Sequence, residues 1–116
     1  MSELNTFGAV MAFAIQLEAD LHTYYETAGN HERARAAEKR QAKLERIRRE
    51  NVLEITLEPI EGLNKAQYTL GLTDVSVAGQ QAVEQRIAQF YLDAAPRMNV
   101  LAVQRAFERI AQEHLD

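Results

Sequence analysis

Apolar residues near the start of the chain recur at alternating spacings of three and four, the period of a helix that buries one face. The series consists of Phe7, Val10, Ala14, Leu17, Leu21, Tyr24 and Ala28. Gly29 and Asn30 follow it, and such a pair favours a helix stop and a turn. The pattern predicts a first helix over residues 5–28 and a tight turn into a second helix.

The second helix has an apolar stripe that becomes clear at Leu44 and Ile47. Its end is ambiguous, because residues 52–58 alternate like a strand and also continue the helix without a stop signal. Pro59 disfavours helix at the residue before it, and a lone strand has no evident partner here. We therefore predict a helix over residues 31–57, followed by a long crossover.

A third helix is predicted over residues 74–95, with Thr73 or Asp74 as its cap and Pro96 as its stop. A fourth is predicted over residues 99–115. Its seam is Val100, Val103, Phe107, Ile110 and His114. Two short turns and one long middle link predict an all-α fold. It is a single-domain antiparallel four-helix bundle of two helical hairpins joined by a long crossover, spanning all 116 residues.

Composition and charge narrow the classes of function. The net charge is −4, so nucleic acid is not an expected partner, and the absence of cysteine excludes disulfides and thiolate metal sites. The apolar amino-terminal stretch is interrupted by Glu18 and Asp20 and lacks a basic leader. It therefore resembles neither a signal peptide nor a membrane span, and the expected location is cytoplasmic.

Basic residues are concentrated in the second helix, where eight of the 13 Lys and Arg lie between Arg33 and Arg49. Four glutamates are interleaved with them. Mixed charge at helical spacings is typical of a solvated, salt-bridged face. The alternative interpretation is a surface for an anionic partner.

The two halves of the chain repeat one another. LEADLHTYYETA, residues 17–28, aligns with VEQRIAQFYLDA, residues 83–94. The matched pairs are Glu18 with Glu84, Leu21 with Ile87, Tyr24 with Phe90 and Tyr25 with Tyr91. LERIRREN, residues 44–51, similarly aligns with FERIAQEH, residues 107–114. The chain is therefore interpreted as an internal duplication of one helical hairpin, packed about a pseudo-twofold axis.

AIQLEADLHTYYETA and QAVEQRIAQFYLDAA resemble the first and third helices of rubrerythrin-like members of the ferritin-like superfamily. In that family, a Glu is followed six and seven residues later by an aromatic residue and a Tyr. FERIAQEH resembles the run that leads into the family's Glu-x-x-His motif. The resemblance implies a di-iron or related centre. One Glu would come from each of the first and third helices, and one Glu-x-x-His pair from each of the others.

The resemblance places Glu18 and Glu84 at the ligand positions of the first and third helices. In the second helix, the motif falls on Asn51 and Glu54, so Glu-x-x-His has become Asn-x-x-Glu. In the fourth helix it falls on His114, and the family's His position would lie beyond residue 116. The implied di-iron motif is therefore degenerate.

These polar residues have three open interpretations. Asn51 and His114 continue apolar stripes, so they are expected in the interior, where Glu18, Glu84, Asn51, Glu54 and His114 would satisfy one another without a metal. Alternatively, Glu18, Glu84, His114 and Glu54 retain a site for iron or manganese. The third interpretation is solvent exposure near the helix ends.

Two minor candidates accompany them. His22 lies four residues after Glu18, which is the spacing of a metal-binding pair and also of an ordinary exposed pair. Tyr24, Tyr25 and Tyr91 would suit a radical route in a metal enzyme, although their heptad spacing favours core packing.

Two functions follow as hypotheses. The favoured one is a non-enzymatic ferritin-like bundle without a competent di-iron centre or any other cofactor. It would act through self-association as a homodimer, or through a protein partner. Its short fourth helix would leave core surface for a second copy to cover. The alternative is a diverged di-metal carboxylate protein that handles iron, oxygen or peroxide.

Overall fold

The computed structural model describes residues 4–51 and 60–116, and within these ranges every regular element is helical. Four α-helices are present: α1 is Phe7–Ala28, α2 is His31–Glu50, α3 is Val77–Ala94 and α4 is Leu101–Leu115. Two short 3₁₀ turns, Lys65–Tyr68 and Ala95–Arg97, lie in the connections. A membrane-spanning helix needs about 20 predominantly apolar residues, and no helix within the described ranges meets that requirement.

The turn between α1 and α2 forms as its residue types predict. Gly29 adopts a left-handed conformation with φ of 77°, which a side chain would disfavour, and its N–H donates to the end of α1. The Asn30 side chain then accepts a hydrogen bond from the Arg33 N–H and caps α2. This two-residue connection fixes α2 against α1.

The described part of the link between α2 and α3, from Ile60 onward, is held in place by specific hydrogen bonds. The Ile60 N–H donates to the Asn5 carbonyl, and the Tyr68 hydroxyl donates to the Asp93 carboxylate on α3. The Arg97 guanidinium donates to the carbonyls of Glu61 and Asp93. The link is thereby tied both to the start of α1 and to the end of α3.

The predicted helix boundaries need several corrections. Thr6 caps α1, so the helix begins at Phe7 instead of residue 5. Ser76 caps α3, whereas Thr73 and Asp74 do not. The Asp74 carboxylate instead accepts a hydrogen bond from the Ser76 N–H. Asn51 is the C-cap of α2, and the predicted continuation over residues 52–57 lies outside the described residues.

The core forms chiefly within the two helix pairs, α1 with α2 and α3 with α4, and a smaller contact joins α1 to α3. The largest fully buried side chains are Leu4, Phe7, Met11, Leu21, Tyr25, Leu44, Ile87, Phe90, Tyr91, Met98, Phe107 and Ile110. The predicted stripe of α4 is thus confirmed as a buried face, and so is that of α1 except for Ala28, which is half-buried. Four polar residues are buried among them, and they form the candidate site.

Candidate functional site

Two glutamates lie in the protein core, on the matched positions of α1 and α3. Glu18 has no exposed surface and Glu84 is 7% exposed. Both follow directly after a stripe residue, Leu17 or Val83, so the helical period carries them to the edge of the buried face. A buried carboxylate is strongly destabilising unless it is paired and hydrogen-bonded. The partners of these two glutamates therefore define the site.

His114, in the last turn of α4, lies between the two carboxylates. Its Nε2 atom is 2.8 Å from Glu18 Oε2, and its Nδ1 atom is 2.5 Å from Glu84 Oε2. An ionised carboxylate only accepts hydrogen bonds, so each ring nitrogen makes its bond by carrying a hydrogen. The geometry therefore favours an imidazolium that donates to both glutamates.

The two matched tyrosines cross between the halves of the chain. The Tyr91 hydroxyl of α3 donates to Glu18 Oε2 on α1 at 2.7 Å, and the Tyr25 hydroxyl of α1 donates to Glu84 Oε1 on α3 at 2.7 Å. The sequence repeat thus becomes a reciprocal exchange in which each helix supplies a donor to the other's carboxylate. Tyr91 also stacks on the His114 ring, with centroids 5.8 Å apart.

Two arginines of α2 complete the cluster unequally. Arg40 Nε donates to Glu18 Oε1 at 2.9 Å, and its side chain is only 8% exposed. Arg33 reaches Glu84 Oε1 at 3.6 Å and donates to the Tyr25 hydroxyl at 3.2 Å, but its side chain is 46% exposed. Arg40 therefore acts as an interior counter-ion, whereas Arg33 covers the cluster from the solvent side.

The pKa directions agree with these pairings. Burial on its own would raise the pKa of Glu18, but the hydrogen bond from His114 and the charges of His114 and Arg40 outweigh it, and the pKa is lowered. Burial would lower the pKa of His114, but its hydrogen bonds to both carboxylates prevail and raise it. Burial raises the pKa of Tyr91, so its hydroxyl remains a donor.

The arrangement satisfies its own charges and hydrogen bonds. Glu18 and Glu84 carry negative charges, and the His114 imidazolium and the Arg40 guanidinium balance them. No side-chain nitrogen or oxygen that is buried within residues 4–51 and 60–116 lacks a hydrogen-bond partner. The cluster can hold a proton on His114 and can link all four helices electrostatically without any further group.

A di-metal centre does not fit these side chains as they are arranged. A metal ligand must offer a lone pair, whereas both His114 ring nitrogens donate to carboxylates and Arg40 Nε occupies an oxygen of Glu18. In the part of the chain that the structure describes, no three His, Cys, Asp or Glu side chains are placed to hold a metal ion.

A surface cavity of about 320 Å³ gives solvent a route to one side of the cluster. Its lining includes Arg33, Gln81, Glu84, Gln85 and His114. The Glu18 carboxylate does not line it, because the imidazole and Arg40 lie around that carboxylate. The Glu84 side of the cluster therefore faces solvent more directly than the Glu18 side.

The structure brings together three of the four residues that the sequence nominated as metal ligands, namely Glu18, Glu84 and His114. Glu54 lies outside the described residues. Asn51 does not join them: it is half-buried at the end of α2, where its side chain donates to the Ile47 carbonyl. The nominated pair of His22 with Glu18 does not form, because Glu18 points into the core.

Arg40 corrects the sequence analysis, which predicts a solvated face for the basic residues of α2. The prediction is wrong for this one of the eight basic residues, because its side chain is buried. A signal was present, because Arg40 lies four residues before Leu44 and three after Ala37, on the stripe that α2 buries.

No family model, no curated protein and no solved structure matches this chain.

Proposed function

We propose that this protein is a ferritin-like four-helix bundle that works as a non-catalytic binding module, through self-association or a protein partner. In this proposal, protein cations have taken the place of metal ions between its interior carboxylates. The observation that carries it is the pairing of Glu18 with both His114 and Arg40. Those two cations supply the positive charge that two core carboxylates would otherwise take from a metal.

Helix contacts support the antiparallel bundle. Glu18 contacts Arg40, while Tyr25, seven residues later on α1, contacts Arg33, seven residues earlier on α2. The contacts therefore progress in opposite directions along the two helices, as they do in a hairpin. Contact between α1 and α3, together with the reciprocal tyrosine bonds, supports docking of the two hairpins about a pseudo-twofold axis.

Exposed apolar side chains support self-association as a homodimer. Several large ones lie on α3 and α4, namely Val77 at 73%, Leu101 at 58%, Leu115 at 52% and Leu92 at 45% exposed. α4 has 15 residues against 22 in α1, so it offers less length to cover the core. A second copy that covers such side chains would remove apolar surface from water.

Metal analysis tests the central part of the proposal. Protein purified without chelator should contain no stoichiometric iron or manganese, and added iron should leave the melting temperature unchanged, because His114 and Arg40 already satisfy the carboxylates. Stoichiometric iron or manganese that is lost in Glu18→Ala would overturn the proposal. Sedimentation at micromolar concentration tests self-association, and a monomer would leave only the partner-binding form.

The alternative function is a diverged di-metal carboxylate protein that handles iron, oxygen or peroxide. The convergence of Glu18, Glu84 and His114 favours it, because two carboxylates and an imidazole are suitable ligands for iron or manganese. Binding would require His114 to lose a proton and the Arg40 side chain to leave Glu18. The same metal analysis separates the two functions.

A further inference from the structure

The cavity beside Glu84 is a place where a solvent-borne group can reach a core carboxylate. Its volume is about 320 Å³, and the Glu84 side chain that lines it is 10% exposed. Pockets that hold small ligands begin at about 300 Å³, so the cavity has room for a small group and not for a large ligand. The chemistry of its lining therefore decides what it can hold.

Glu84 has more unused hydrogen-bonding capacity than its repeat partner Glu18. Within residues 4–51 and 60–116, three side chains donate to the Glu18 carboxylate and two donate to that of Glu84. An ionised carboxylate can accept about four hydrogen bonds. Glu84 can therefore accept further donors from the cavity and keep its bonds from His114 and Tyr25.

The arginine beside Glu84 is held mainly by Tyr25. Arg33 Nη1 donates to the Tyr25 hydroxyl at 3.2 Å, and the guanidinium carbon lies 5.7 Å from the centre of the Tyr25 ring. The same Nη1 atom is 3.6 Å from Glu84 Oε1, beyond the usual N–H to oxygen distance of about 2.7–3.2 Å. Because the Arg33 side chain is 46% exposed, it can turn towards solvent when another donor approaches Glu84.

The charges around the cavity favour a cation once Arg33 has turned away. The remaining charged groups of the lining are the carboxylates of Glu84 and Asp116 and the imidazolium of His114. That imidazolium already donates to both buried glutamates, so its charge is balanced within the cluster. Two glutamine side chains of the lining offer further acceptors. A planar guanidinium suits this set better than a compact ammonium, because its fixed fork of N–H donors reaches more than one acceptor.

We propose that this cavity binds the guanidinium group of a ligand, which donates a hydrogen bond to Glu84. The group belongs either to a small alkylguanidine or to an arginine side chain of a protein partner. The inference rests on the metal-free cluster of the proposed function, because a metal ion on Glu84 would use the same lone pairs.

An NMR titration of the metal-free, isotope-labelled chain with methylguanidinium chloride tests the site. We expect saturable shifts of the backbone and side-chain amide signals of Gln81 and Gln85 and of the Leu115 amide, since these residues line the cavity. Tetramethylammonium chloride is the control ligand, because it carries the same charge without N–H donors, and it should leave these signals unchanged. Shifts spread evenly over the surface, or shifts that do not saturate, overturn the inference.

Substitutions locate the binding. Glu84→Gln removes the accepting charge and should weaken binding by at least about tenfold. Arg33→Met removes the competing cation and should tighten binding by about threefold. Glu108→Gln is the matched control, because Glu108 is an exposed glutamate of α4 outside the cavity, and it should bind as the wild type does.

Circular dichroism confirms that each variant is folded. If Glu84→Gln does not fold, Asp116→Asn takes its place, because Asp116 is exposed and lines the cavity, and it should weaken binding by about threefold. Wild-type affinity in folded Glu84→Gln, or in both Arg33→Met and Asp116→Asn, overturns the inference.

A second ligand separates the two sources of the guanidinium. A short peptide with one central arginine should bind more tightly than methylguanidinium if the group belongs to a protein chain, and less tightly if it belongs to a small molecule. A metal-free chain that binds neither ligand overturns this inference and leaves the proposed function standing. Stoichiometric iron or manganese, found by metal analysis before any titration, would instead overturn the proposed function.

Discussion

The surroundings of Glu18 and Glu84 differ although the sequence repeat matches these two residues. Glu18 receives hydrogen bonds from His114, Tyr91 and the buried guanidinium of Arg40. Glu84 receives bonds from His114 and Tyr25, while its arginine is half-exposed and 3.6 Å away. One carboxylate is enclosed by protein, and the other faces a cavity.

This difference shows which parts of the duplicated pattern the two halves share. The repeat conserves a carboxylate and a tyrosine seven residues later in each half, and these form a symmetric exchange. The cations do not follow the repeat, because α2 supplies two arginines and α4 supplies one histidine. The stability of the fold should therefore depend far more on Arg40, beside the enclosed Glu18, than on Arg33, beside the solvent-facing Glu84.

Replacing each arginine in turn should give the largest difference in stability between the two sides of the cluster. Arg40→Met leaves Glu18 buried with one cation fewer, and we expect a loss of about 3–5 kcal/mol in the free energy of unfolding, as for other broken buried pairs. Arg33→Met should cost at most about 1 kcal/mol, because that side chain is half-exposed and screened by solvent. Urea denaturation of both variants measures the difference. Equal losses would contradict the assignment of Arg40 as the interior counter-ion.

Substitution of the two tyrosines should give a smaller difference in stability, again with the larger loss at the residue that contacts Glu18. Tyr91→Phe removes a fully buried donor to a carboxylate, which should cost about 1.5–3 kcal/mol. Tyr25 is equally buried, but its partner Glu84 lines the cavity, so water can replace the lost bond and Tyr25→Phe should cost about 1 kcal/mol. Thermal and urea unfolding of the two variants provide the comparison. A larger loss for Tyr25→Phe would reverse the order of the two halves.

Stability should also change with pH through the cluster. The pKa of His114 is raised in the folded state, so its stabilisation is complete below its unfolded pKa of about 6.5 and is lost as pH rises through the folded pKa. The pKa of Glu18 is lowered, so its contribution is present above the unfolded pKa and is lost as pH falls through the folded one.

The loss of stability with rising pH that His114 causes should be the smallest of these effects. A single proton changes the free energy of unfolding by at most about 1.4 kcal/mol per pH unit. Urea unfolding of the wild type across a pH series, compared with His114→Gln, isolates this contribution. We expect the decline attributed to His114 to be absent from the variant. An identical pH dependence in both proteins would show that His114 is not the protonated bridge.

The helical period of α4 predicts an interior His114, and the family resemblance places Glu18 and Glu84 at ligand positions that would face the bundle interior. All three side chains are buried. The sequence prediction missed Arg40, although Arg40 lies on the stripe that α2 buries. A long basic side chain at such a position can turn inward or extend past the stripe to solvent, so the spacing alone shows the position and not the direction of the side chain. For Asn51 the sequence predicted too much burial. Its octad matches the one that contains His114, but Asn51 is the half-buried C-cap of α2 and does not reach the interior cluster.

Helical period and turn chemistry are local properties, so they were enough to predict four helices, the turn at Gly29 and the matched glutamates and tyrosines of the two halves. Which cation meets which carboxylate is not a local property. Glu18 and His114 are separated by 96 residues, and Glu18 and Tyr91 by 73, so their contacts depend on how the two halves dock. Docking converts a symmetric repeat into one enclosed and one solvent-facing carboxylate, since α2 brings the buried Arg40 to Glu18 but the half-exposed Arg33 to Glu84.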